Sequence, residues 1–347
     1  MKDRSITKMS ILMCFFVVIV HLTTAPLEAL DKTSKWYAIL MVINTLFRFV
    51  VPCFVFESGF KLYKKYQNNE LDIKKFYMSR LKKVVIPYVI CYLIHCFYFI
   101  VIKKWAGLEA LFPGIFYGAI SAQLYYVVFT IQLYILFPLI KKLFEKYMKT
   151  VLIITLLMSL ITTVFVVWDY AVVLFTYWIF YFVLGMYIAK YPSLLENKKV
   201  LIVGGLIFVG TTLIMISAKL NSAINNIPFK YYGYVYVVNS SLAPLIFIGL
   251  LKKLEVYDFK FIKKLEDFFE PNTYYIFLYH TLFISIANYD FNNHLESLYN
   301  KIVQISAFSG LTHVAFNLIS TTIFTLSCIL ILCILNNLKK RVKIKFT

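Results

Sequence analysis

MSILMCFFVVIVHLTTAPL occupies residues 9–27, and its reading decides the fold. An apolar run of this length matches a membrane-crossing helix. It is too long for a signal-peptide core, and its exit does not resemble a small-residue cleavage site. It is therefore read as a retained first span. One residue breaks its chemistry. His21 lies about twelve residues in, which at ~1.5 Å per residue is roughly 18 Å into a ~30 Å hydrocarbon core. An ionisable group at that depth is costly, so it needs a purpose.

The same signal recurs along the chain. Hydrophobic residues make up 61% and charged residues 15% of the 347 residues, and mean hydropathy is +0.76. Soluble domains carry about a quarter charged residues, so a soluble fold is excluded. Candidate spans fall at 9–27, 38–61, 84–102, 121–140, 150–168, 171–189, 200–218, 233–251, 273–290 and 311–336. The expected fold class is all-α: a polytopic membrane helix bundle of about ten transmembrane helices. No repeat or low-complexity linker divides it, so residues 1–347 read as a single integral membrane domain. ELDIKK, KKLFEKYMK, YPSLLENKK and KKLEVYDFKFIKKLED are read as polar inner loops, and WDY (168–170) as a tight turn. The stretch 290–310 is expected outside the membrane, with room for a short surface helix.

The net charge of +19 would suggest nucleic acid in a soluble protein. Here the basic residues sit between apolar runs, where they set orientation and meet anionic lipid instead. With the N-terminus inside, 28 Lys and Arg fall in inner segments and 7 in outer ones. That asymmetry gives N-in and C-in, as an even number of spans requires, in the plasma membrane. The six cysteines lie in apolar runs without metal-ligand or redox spacing, so no metal site is expected.

Few ionisable side chains lie within the spans. His21 reads either as a neutral imidazole bonded to a neighbouring helix or as a general base. Arg48, in LFRFVVP, is too deep to snorkel and is expected to face the interior or a wet cavity, holding an anionic or carbonyl group. Its structural alternative, a pair with Glu57, is out of reach within one helix. Glu57 reads as an interface-facing carboxylate near Lys61, and His95 and His313 as packing residues. His280, in PNTYYIFLYHTLFI, is open to both readings, with Asn272 and Thr273 as its helix cap. The segment KLYKKYQNNELDIKKFYMSRLKKVVIPY (61–88) is basic throughout. It fits orientation and anionic lipid, or a site for a phosphorylated donor.

These residues resemble the membrane-bound acyltransferase 3 family, proteins that O-acylate bacterial surface polysaccharides. His21 is similar to the family's histidine near the end of its first helix. VPCFVFESGF (51–60) and FYMSRLKKVVIPY (76–88) resemble its Ser-Gly-Phe run and basic Pro-Tyr segment. Ser58, Gly59, Arg80, Lys83, Pro87 and Tyr88 fall on matching positions. AQLYYVVFTIQLYILFP (122–138) and YYIFLYHTLFI (274–284) match two later helices, and His280 falls on the family histidine of the second. The family's usual arginine eleven residues before the first histidine is Ser10 here. Arg4, Lys8 or Arg48 could replace its charge. Gln123 stands where many members have histidine.

The resemblance implies an integral membrane O-acyltransferase. Its donor would be acyl-CoA, loaded from the cytoplasm against Arg80, Lys82 and Lys83, with Ser58 and Tyr88 grouped beside them. The acceptor would be a hydroxyl of a cell-surface polysaccharide or lipid-linked glycan. His21 would be the general base, with His280 and Arg48 completing the catalytic set. Membrane lipid and a polysaccharide synthase are the remaining expected partners. The competing reading is a non-catalytic membrane protein that exports an exopolysaccharide such as poly-N-acetylglucosamine.

Overall fold

The computed structural model describes residues 4–105, 107–166, 171–254, 260–303 and 312–345. Every regular element among them is helical. The principal helices are α1 (Arg4–Ala29), α2 (Lys35–Tyr66), α3 (Ile73–Ile102), α4 (Tyr125–Phe165), α5 (Phe175–Lys190), α6 (Lys198–Asn225) and α7 (Tyr232–Leu254). They are followed by α8 (Lys260–Phe269), α9 (Thr273–Ile286), α10 (Glu296–Val303) and α11 (His313–Lys345). Among the described residues, seven helices (α1–α4, α6, α7 and α11) are long and apolar enough to cross a membrane. The protein is an all-α polytopic membrane helix bundle.

Among the described residues each of the ten expected spans overlaps helix, with two differences. KKLFEKYMK forms a kink rather than a loop: within α4 two helices meet at Tyr147 (φ −132°, ψ 46°), in the break expected between the fourth and fifth spans. Its residues are good helix formers, and Lys141 pairs with Glu145 one turn on at 2.7 Å, which supports the helix. The second expected span, by contrast, is broken: Phe47–Phe49 form a turn inside α2, and Arg48 lies within it. The WDY turn and its Asp169 lie outside the described residues. The expected surface helix in 290–310 is α10, and 304–310 are outside the described residues.

Helix starts follow side-chain chemistry. Ser34 accepts from the Tyr37 backbone N–H (3.1 Å) to begin α2. Asp72 accepts from that of Lys75 (2.9 Å) to begin α3. This bond, reinforced by the Lys75 side chain, holds the Asp72 carboxyl below its ordinary range, as expected for a carboxylate at a helix N-terminus. Asn272 behaves differently from its expected capping role. It makes no cap bond and instead donates to the Phe268 carbonyl (2.7 Å) and to Asn337 of α11 (3.1 Å).

Contacts divide the chain into two compact units. One comprises residues 1–9, 49–215 and 229–257; the other comprises 10–48, 216–228 and 258–347. In the first unit the second half of α2 crosses α5 at backbone contact. A β-carbon on Gly59 would overlap the Phe182 carbonyl, and one on Gly185 would overlap the Phe56 carbonyl. Only glycine allows this approach. α5 is buried on most sides by Trp178, Tyr181, Phe182 and Met186 among others, which explains how a helix of 16 residues holds its place. Gln132 of α4 clasps its start, donating to the Val173 carbonyl (2.8 Å) and accepting from the Phe175 N–H (3.0 Å).

In the second unit, α1 packs on α2 through Phe16 and Phe47, stacked at 4.3 Å. It packs on α8 and α9 through Phe15–Phe269 (5.2 Å) and the Cys14 thiol, which reaches the Thr273 carbonyl (3.3 Å). α11 is joined to α9 and its continuation by two polar clasps. One is Asn272 with Asn336 and Asn337; the other is Asn292 with Ser320 and Thr321. In apolar surroundings such side-chain bonds fix which helices associate.

Candidate active site

The second unit brings together three residues far apart in sequence. His21, in the last turn before α1 bends, faces His280 of α9 with ring centroids 5.1 Å apart. His280 is fully buried, while His21 is half-buried. The Nδ1 of His280 lies 2.8 Å from the Phe277 carbonyl and 3.1 Å from that of Ile276. Carbonyls only accept, so Nδ1 carries the proton and the lone pair sits on Nε2. The helix backbone thereby fixes both the tautomer and the ring orientation of His280.

α1 is loosened where His21 sits. The hydroxyl of Thr23 donates to the Ile19 and Val20 carbonyls (both 3.0 Å), and that of Thr24 donates to Val20 (2.9 Å). Hydroxyl back-bonding of this kind bends helices, and here the regular helix pauses at Thr23.

Arg48 is not packed into the interior, the first of the two surroundings expected of it, the other being a wet cavity. It is exposed, at the break in α2, and among the described residues it pairs with no carboxylate. The alternative pairing with Glu57 is excluded, because Glu57 is buried and bonded to Lys61. The guanidinium is held by Asn44 instead, donating through Nε (3.1 Å) and Nη2 (2.6 Å) to the Asn44 Oδ1. Asn44 is itself buried, and its Nδ2 donates to the Val20 carbonyl and the Thr23 hydroxyl, both at 2.9 Å. One carboxamide thus ties Arg48 to the turn of α1 that carries His21. Arg48 also lies within electrostatic range of His21 and of Lys219.

The residues grouped as a donor site lie in the first unit. Arg80 stacks against the rings of Phe76 (5.6 Å) and Tyr134 (5.4 Å), and its Nε has no hydrogen-bond partner among the described residues. It borders a cavity of about 470 Å³ with Lys74, Tyr77, Ile131 and Tyr134 also in its wall. The Ser58 hydroxyl lies 3.4 Å from the Tyr134 hydroxyl, so Ser58 and Arg80 meet on one tyrosine. Lys82 and Lys83 are exposed on the wide helical turn Leu81–Val85. Tyr88 is buried and donates to the Ile115 carbonyl (2.6 Å), so its hydroxyl braces a neighbouring segment.

The other histidines behave as packing residues. His95 is buried, bonded through Nδ1 to the Cys91 carbonyl (2.9 Å) and close to Gln123 (3.4 Å). His313 packs edge-on to Tyr299 (4.9 Å). Asn44 is the residue that sequence reasoning missed. Its signal was present: an amide inside a span, four residues before the arginine, where the two side chains share a helix face.

No curated protein and no solved structure matches the chain. A family model described as an acyltransferase domain matches residues 9–339, nearly the whole polypeptide, with both histidines, Asn44, Arg48 and the basic segment inside it. The chain belongs to the acyltransferase 3 family and is a membrane acyltransferase that transfers groups other than aminoacyl groups.

Proposed function

We propose that this acyltransferase moves an acetyl or succinyl group from cytoplasmic acyl-CoA to a hydroxyl of a cell-surface polysaccharide or lipid-linked glycan at the plasma membrane. The reading rests on the pairing of the His21 and His280 rings at 5.1 Å, with a guanidinium tied to the same turn of α1. His21 takes the proton of the sugar hydroxyl as its oxygen attacks the thioester carbonyl. Arg48 faces the charge that develops on the carbonyl oxygen, a role in which a fixed cation is effective. The tetrahedral intermediate collapses, the carbon–sulfur bond breaks, and the His21 imidazolium returns the proton to the departing thiolate. His280, its tautomer set by the backbone, holds the His21 ring in register. Arg48 also supplies a cation that Ser10 does not.

Lys82 and Lys83, exposed and close to Arg80 in sequence, are the proposed partners of the CoA phosphates. Charge-assisted bonds are typically worth ~1.5–3 kcal/mol. Lys82→Glu with Lys83→Glu is therefore expected to raise KM for acyl-CoA about tenfold or more, with kcat nearly unchanged. Saturation kinetics in membranes measures this.

Within the family, the likeness is to the membrane protein of an intercellular-adhesion operon that makes poly-N-acetylglucosamine. Its synthase is the proposed partner, and biofilm glycan the proposed acceptor. Membranes incubated with labelled acetyl- or succinyl-CoA and this glycan should form base-labile ester that depends on the protein. If no ester forms and glycan export fails in cells lacking the protein, the export reading replaces this one.

A further inference from the structure

The function of Arg48 depends on where its charge is held. Its side chain is exposed, sits at a break in a helix and has no carboxylate partner among the described residues. Such an arginine has several rotatable bonds and would ordinarily sample many positions. Two bonds to one Asn44 oxygen remove most of that freedom. The other end of the same carboxamide is anchored twice on α1, at Val20 and Thr23, on either side of His21 in sequence. Asn44 is almost wholly shielded from solvent, at 1% exposure. All four of these bonds are made with protein groups, and the orientation of the amide is determined by them: the oxygen can only face the guanidinium if the nitrogen faces α1.

We propose that Asn44 is a positioning residue that latches the Arg48 guanidinium to the His21-bearing turn of α1. This rests on the acyl-transfer reading above, and it names the group that sets the cation's place in that site. An alanine at 44 leaves both His21 and Arg48 in the chain but frees the guanidinium. Misplacement of a catalytic group by about 1 Å can cost on the order of a hundredfold in rate.

The test is a double-mutant cycle on acyl transfer in membranes. Asn44→Ala is expected to lower kcat about tenfold to a hundredfold with KM for acyl-CoA nearly unchanged. Arg48→Ala is expected to lower it at least as far. The double variant should be no slower than Arg48→Ala, because Asn44 acts through Arg48. Losses that multiply overturn the proposal. If Asn44→Ala does not accumulate in membranes, Asn44→Ser, too short to span both partners, carries the same cycle. A second readout needs no activity. Modification of Arg48 by p-hydroxyphenylglyoxal, mapped by mass spectrometry, should be several-fold faster in the variant than in the parent protein. Equal rates overturn the latch. A parent protein that transfers nothing from acyl-CoA, yet shows the rate difference, overturns the acyl-transfer reading and leaves the latch standing.

Discussion

His21→Ala abolishes acyl transfer to the glycan, by at least the ~10²–10⁴-fold that a general base contributes, while the protein still accumulates in the membrane. The two parts of this expectation have separate grounds. The ring is half-buried, so its removal opens little core. The neighbouring contacts of α1, at Phe15, Phe16 and Cys14, are left in place. The chemistry, in contrast, loses the only basic group that the proposed mechanism gives to the sugar hydroxyl. His95→Ala is the matched control: an imidazole within a span, buried and bonded to its own helix, with no place in the reaction. Transfer by His21→Ala at near the parent rate, measured as base-labile label on the glycan at equal protein level, removes His21 from the mechanism.

The second large effect is structural. Gly185→Val prevents accumulation of folded protein. The added β-carbon would coincide with the Phe56 backbone carbonyl, and its neighbours Phe56 and Phe60 are among the largest fully buried side chains. No rotamer relieves an overlap with backbone, so α2 and α5 must separate along their crossing. Overpacking of side chains alone typically costs ~1–3 kcal/mol, and a forced helix separation exceeds that. The cost is comparable with the whole stability of many domains. Gly59→Val makes the same collision from the opposite helix, against Phe182. Gly205→Ala and Gly210→Ala are the controls. Apart from the backbone of its own helix, no atom of the described residues lies within 4 Å of a β-carbon at either position, so both variants should accumulate normally. Membrane-fraction yield and monodispersity after detergent extraction give the comparison, and a well-folded Gly185→Val protein would show that this crossing is looser than described.

Much of the site could be read in the sequence, and the part that could not has a definite character. His21 and His280 stood out because an imidazole among apolar residues is conspicuous wherever its partners are. Arg48 stood out for the same reason, but the break in its helix did not. Hydropathy presents 38–61 as one uninterrupted helix, and an arginine inside such a helix has to face the interior or a wet cavity. The break at Phe47–Phe49 lies one turn before Pro52, which has no N–H to offer the Arg48 carbonyl, and Arg48 is exposed there. Asn44 was passed over because a lone amide in a span is unremarkable until its partners are known, and two of them lie 21 and 24 residues away.

The sequence by itself determined that this protein is a helical membrane bundle and which stretches form its helices, since helix formation and burial in lipid follow from the composition of each stretch of about twenty residues. Tertiary structure alone decided which distant polar groups meet: His21 with a ring 259 positions away, and Arg48 with α1 through Asn44. The physical reason is that lipid supplies no hydrogen bonds. Every polar side chain in a span must find its partner on a helix, and local composition does not say which helix that will be.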